Sequence, residues 1–159
     1  MKADYINPIY KASRDVFTNV LGWDVQKGEI QLVQEIHTRN KMNVSIGITG
    51  ELKGIILFSF PEGMVLEILE EMSRNKFDRV DKFAIFAVGE LAKIISENAI
   101  HTFKGNGYQC ESCPPQITIG DIQIYSTAME KALWISLKTR RNAFDLFISI
   151  DENKKESYQ

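Results

Sequence analysis

Cysteine and histidine are scarce in this chain, with two of each among 159 residues, and that scarcity removes whole classes of protein. Two thiols cannot build the disulfide scaffold of a small secreted domain. Equally missing is any dense run of Lys or Arg. The 19 basic side chains face 21 acidic ones for a net charge of −2, which argues against a nucleic-acid partner. No apolar run reaches the roughly 18 residues of a membrane span, and residues 1–15 mix charge and polarity without a signal-peptide core. The expectation is a cytoplasmic protein. There is no Gly-rich phosphate loop, no G-x-S-x-G elbow, no metal-loop carboxylate spacing, no short-period repeat and no linker. What is present is ordinary globular composition, 44% hydrophobic and 25% charged, enough for one domain over residues 1–159 with its own core.

Periodicity places the elements. A first helix is predicted with Asn7 as cap, Pro8 in its opening turn, and Ile9, Ala12, Val16, Phe17 and Val20 at helical spacing; Gly22 stops it. Extended segments follow at Ile30–Ile36, at Met42, Val44, Ile46 and Ile48 in period two, and at Leu52–Phe60, the last two joined as a hairpin through Gly50 and Glu51. A second helix opens at Pro61 and Glu62 with Met64, Val65, Ile68, Leu69 and Met72 in one stripe. The third and longest runs from about Asp81 to Lys104, with Gly105, Asn106 and Gly107 as its stop. Phe83, Ala84, Phe86, Ala87, Val88, Leu91, Ile94 and Ile95 cover most of its circumference, so most of it is expected to be buried. Strands return at Gln116–Ile119, Ile122–Tyr125, Ala132–Thr139 and Phe144–Ile150, with Arg140, Arg141 and Asn142 between the last two. The polar end, Asp151–Gln159, reads as frayed, leaving 152–159 as a tail. Segregated strands and helices predict an α+β fold, a mostly antiparallel sheet with two or three helices packed on it.

On that third helix stand Gly89, Glu90, Leu91, Ala92 and Lys93, followed after 20 residues by Pro114 and Pro115. This resembles the signature of the CheX and CheC phosphatases of bacterial chemotaxis: Ser or Asp, three residues, Glu, two residues, Asn, and Pro after a spacer of about this length. The resemblance extends to Asp4–Pro8, the Gly47–Gly54 hairpin, Phe58–Pro61 and Phe144–Ile150, and is closest to CheX.

What it implies is hydrolysis of the aspartyl phosphate on a phosphorylated CheY-type receiver, Glu90 pairing with a receiver Lys while an Asn carboxamide holds the attacking water. Residues three apart share a helix face, so both would enter the partner's site together. Two positions depart from the pattern. Lys93 stands where the Asn belongs, and Phe86 where the Ser or Asp belongs. An ammonium donates but cannot accept, so Lys93 would bind phosphoryl oxygens as a point charge. The resemblance further implies that magnesium sits on the receiver and no cofactor on this chain, and that two chains join sheets edge to edge as a homodimer. Partner contacts are expected from Glu90, Lys93, Phe86, Glu97, Pro114 and Pro115. The alternative is a receiver-binding or dimerisation module without catalysis.

Plainer readings stand beside these. Glu90 and Lys93 have the spacing of an exposed helical ion pair, worth roughly 0.2–0.5 kcal/mol. Asn98 is a candidate replacement for the missing amide. Pro114 and Pro115 suit the start of an edge strand, where a missing N–H does no harm. Cys110 and Cys113 form a C-x-x-C, but prolines and a strand follow where a thioredoxin motif would open a helix, and zinc would need two more ligands, with His37 and His101 the only histidines. His101 reads as a helix-end residue favoured by the dipole.

Overall fold

The computed structural model describes residues 2–120, 123–125 and 131–154. The first helix, α1 (Ala3–Val16), begins a full turn earlier than Asn7, with Lys2 at its cap and Pro8 inside it. A proline there removes one helical hydrogen bond. Tertiary contact outweighs the loss: Tyr5 is fully buried, edge-on to Tyr108 at 5.8 Å, and its hydroxyl donates to Glu152 Oε1 at 3.1 Å. The helix then widens into a π-turn, Phe17–Leu21, which Gly22 closes at φ 71°. That extra residue per turn carries Val20 off the expected stripe and into solvent.

Strands β1 (Gln26–Val33), β2 (Ile36–Thr38), β3 (Met42–Gly50) and β4 (Leu52–Phe60) precede α2 (Glu62–Ser73) and α3 (Lys82–Gly105); β5 (Cys110–Ser112), β6 (Gln116–Ile119), β7 (Gln123–Tyr125), β8 (Ala132–Lys138) and β9 (Ala143–Glu152) complete the order. The main sheet runs β1-β8-β9-β4-β3-β5, with β6 also on β3, and every pairing is antiparallel. This is the α+β layout expected.

The single strand expected at Ile30–Ile36 is two. β1 pairs with β8 through Val33, and the chain then turns so that Ile36 opens β2, which pairs with β7. Ile36 covers the far face of the sheet with Leu57, Ala132 and Phe147 in a small second core. The larger core lies on the helical face, where Phe144 stacks on Phe17 at 4.9 Å and meets Phe60 at a tilt at 5.2 Å, among residues of α1, α2 and α3. β4 and β9 are therefore covered on both faces and read as nearly continuous apolar runs.

Gly50 ends β3 at φ 112°, where a Cβ would lie 2.5 Å from the Gln109 carbonyl oxygen. Asp151 and Glu152, expected to fray, extend β9 against β4, and Tyr5 donates to the Glu152 carboxylate. Residues 155–159 and Ile122, also included in sequence expectations, lie outside the described residues. The three-residue β5 was not expected at all.

Candidate functional site on the third helix

The third helix starts where Asp81 accepts from the amides of Phe83 at 2.9 Å and Ala84 at 3.4 Å, a side-chain N-cap. Ala84, Ala87, Val88, Leu91, Ala92, Ile95, Ala99, Ile100 and Phe103 are buried against the sheet and its helical neighbours. Gly89 lets the helix descend onto β6, since a Cβ there would meet Ile117 Cδ1 at 3.2 Å. That seating turns the ridge through Phe86, Glu90 and Lys93 away from the sheet.

At about 100° per residue, Phe83, Phe86, Glu90, Lys93, Glu97 and His101 all fall within roughly 60° of Glu90's direction. Phe83, Phe86, Lys93, Glu97 and His101 are exposed, and Glu90 is half-buried. Phe83 and Phe86 count among the apolar residues expected to bury most of this helix, and both depart from that expectation: Phe83 is 58% and Phe86 69% exposed. A helical wheel that turns Glu90 outward turns both rings outward with it, which is the signal that hydrophobicity alone hides.

Among the described residues, no hydrogen bond or ion pair joins the side chains of Glu90 and Lys93. The bland ion-pair reading therefore has no contact behind it. The carboxylate and the ammonium remain available to a partner, on residues about 4.5 Å apart along the axis. Asn98 is displaced about 12 Å along the helix from Glu90 and about 140° around it from Lys93, so it cannot replace an amide at Lys93.

Pro114 and Pro115 occupy a break in the sheet edge. Three steps along β3, from Ser45 to Ile48, face four steps from Ser112 to Gln116, which leaves one extra residue as a bulge. Prolines fit there because the bulge requires no ladder N–H. Cys113 N–H still donates to the Gly47 carbonyl at 2.8 Å, and two residues past the prolines Ile117 meets the helix at Gly89. The break thus borders the helix one residue from Glu90.

The two cysteines are free thiols. Cys110 is buried in the main core, and burial pushes its thiol pKa up, away from redox or metal-binding reactivity. His37 pairs with Glu35 at 2.9 Å on β2, far in sequence from both, while His101 lies on the α3 ridge. Among the described residues no cluster of three or more His, Cys, Asp and Glu side chains forms a candidate metal site. A polar cleft of about 700 Å³ between α2 and the β8–β9 turn is lined by Trp23, Glu67, Glu70, Glu71, Arg140 and Arg141 among others, and by no residue of α3.

Residues 42–138 match the family described as chemotaxis phosphatase CheX. The chain is 26% identical over 152 residues to the CheY-P phosphatase CheX of Thermotoga maritima, covering 94% of this chain and 97% of that one. Its fold is similar to a CheC-like superfamily protein from Shewanella (TM-score 0.87, 20% identity, 95% of this chain and 99% of the other). It is also similar to a chain of the CheX–CheY–BeF3–Mg²⁺ complex of Borrelia burgdorferi (TM-score 0.78, 20% identity, 95% and 100% covered).

Proposed function

Since this chain belongs to the CheX family of chemotaxis phosphatases, we propose that it binds a phosphorylated CheY-type receiver through the α3 ridge and promotes hydrolysis of the receiver's aspartyl phosphate. The observation that carries this reading is the ridge itself: Glu90 and Lys93 stand side by side, unpaired, on a helix that buries Ala84, Val88, Leu91, Ala92 and Ile95 behind them. Similarity to the CheX phosphatase of Thermotoga maritima and to a CheX solved with CheY supports it.

In this reading Glu90 pairs with a receiver lysine and fixes the orientation of docking. Lys93 reaches the phosphoryl group, where its ammonium stabilises the charge spread over the equatorial oxygens. Water bonds to phosphorus as the bond to the aspartyl oxygen breaks; the carboxylate departs with the electron pair, and the water's protons are taken up by phosphate and solvent. Lys93 has no acceptor for a water proton, so its contribution is electrostatic and positional. Phe86 and Glu97 flank the pair on the ridge, and the Pro114–Pro115 bulge borders it. Magnesium belongs to the receiver in this scheme, not to this chain.

Two further assignments belong to the proposal. A homodimer joined edge to edge is supported by β1, an eight-residue edge strand on which Ile30 and Leu32 are 49% and 54% exposed; edges of this kind pair readily. Residence in the cytoplasm follows from the partner assigned, and among the described residues no helix is long and apolar enough to cross a membrane.

The experiment follows phosphate loss from a labelled receiver with and without this protein while complex formation is measured in parallel. Faster loss is expected. Tight binding with unchanged loss would replace the phosphatase with a binding module, and no binding would remove both.

A further inference from the structure

Phe83 and Phe86 are the two most exposed large hydrophobic residues among those described, and Lys82 Nζ lies 5.5 Å over the Phe83 ring without covering the patch. Neither ring contributes to the core. Exposed aromatic surface of this kind marks an interaction site more often than it fills space, and aromatic anchors are enriched among the residues that dominate interfaces. The question is what covers them.

Position answers it. Both rings lie on the same ridge as Glu90 and Lys93, one and two turns toward the N-terminus of α3, so the patch is continuous with the charged pair. Whatever seats on Phe86 also faces Glu90, four residues on. A second copy of this chain placed there would bury the carboxylate that the reading above assigns to the receiver. We propose that Phe83 and Phe86 form the apolar half of the receiver-docking surface and select receivers that carry an apolar patch beside the phosphorylation site. This rests on the function proposed above and adds its specificity. The helical rise sets the geometry: Phe86 lies about 10 Å along the axis from Lys93, so the patch on the receiver lies about that far from its phosphoaspartate.

The division of labour is testable because its two halves respond differently. The apolar half holds the complex, whereas the charged half acts on the phosphate, so losing the rings weakens binding without slowing turnover in the assembled complex. Both rings are exposed, and their removal leaves the fold intact, which a thermal melt checks.

The test uses the whole chain and the CheY-type receivers of the same genome, each loaded with beryllofluoride and Mg²⁺ for the binding measurement and phosphorylated for the decay measurement. Phe83→Ala/Phe86→Ala is expected to raise Kd about ten-fold or more, while phosphate loss at saturating protein stays at the wild-type rate. Phe86→Leu restores much of the affinity, and a charged substitution in the receiver's apolar patch reproduces the loss. Wild-type affinity in the double variant overturns the inference; if Glu90→Gln weakens binding in the same assay, the receiver reading survives without it. If Glu90→Gln also leaves binding and phosphate loss unchanged, the reading of α3 falls and the inference with it. Dissociation of a dimer in the double variant, with receiver binding intact, assigns the patch to self-association and also overturns it.

Discussion

Glu90 and Lys93 stand three residues apart on one ridge of α3, and among the described residues their side chains make no hydrogen bond or ion pair with each other. Charges of opposite sign left unpaired at this spacing are available to a third party, and the proposed third party is a receiver. Glu90→Gln is expected to reduce receiver binding strongly while changing stability by less than about 0.5 kcal/mol, as for an unpaired surface position. Lys93→Asn is expected to speed phosphate loss about ten-fold, because an amide accepts from the attacking water as well as donating. A decay rate identical to wild type in Lys93→Asn, with binding retained, would remove this position from the chemistry.

Arg39 grips Asp145 on the far face of the sheet, Nε to Oδ2 at 3.0 Å and Nη2 to Oδ1 at 3.1 Å, while Trp134 Nε1 donates to Oδ1 at 2.9 Å. The arginine side chain is 65% exposed and the carboxylate only 2%, so the two substitutions differ. Asp145→Ala strands the indole N–H and is expected to cost about 2–4 kcal/mol. Arg39→Ala leaves the carboxylate still bonded to Trp134 and Asn40 and is expected to cost about 1–2 kcal/mol. Chemical denaturation of both variants checks the order, and equal losses would refute it.

Tyr5 is buried beside Tyr108 and Glu152, and burial first, then those two groups, push its hydroxyl pKa well above the usual 10.0. A group whose folded pKa is raised contributes stability that is complete below the unfolded value and lost as pH rises toward the folded one. Stability is therefore expected to fall once pH exceeds about 10. Tyr5→Phe should flatten that alkaline limb, at a cost of about 1 kcal/mol at neutral pH from the lost hydrogen bond to Glu152. Denaturation midpoints across an alkaline pH series measure it; parallel curves for both proteins would contradict the assignment.

Cys110 and Cys113 should behave as unrelated thiols. Burial raises the Cys110 pKa and hides the sulfur, whereas Cys113 is half-buried at the Pro114–Pro115 bulge. With a thiol reagent at neutral pH, Cys113 is expected to react first, and Cys110 only on unfolding. Mass spectrometry of the partly labelled protein identifies the site, and early labelling of Cys110 would show that this part of the core opens.

Much of this was legible from the chain. Gly22 and Asp81 marked helix ends because their conformational and hydrogen-bonding roles are local. Period-two apolar residues at Met42–Ile48 marked β3, since one face of that segment must be dry. Pro8 misled, because the contacts that keep the preceding turn helical come from Tyr108 and Glu152, far along the chain. Ile36 misled for a related reason: it reads as the end of one strand, but contacts with Leu57, Ala132 and Phe147, far along the chain, draw it into a second strand on the far face of the sheet.

Local sequence set the three helices, most of the strands, the α+β class and the Glu90–Lys93 spacing, because propensity, capping and helical periodicity act within a few residues of each other. Only the tertiary structure decided which surface of α3 faces water. Gly89 seats the helix on β6, that seating sets its rotation, and the rotation exposes Phe83 and Phe86 in line with Glu90. Hydrophobicity ranks side chains by their preference for burial, but the number of places to bury them is fixed by how the elements pack.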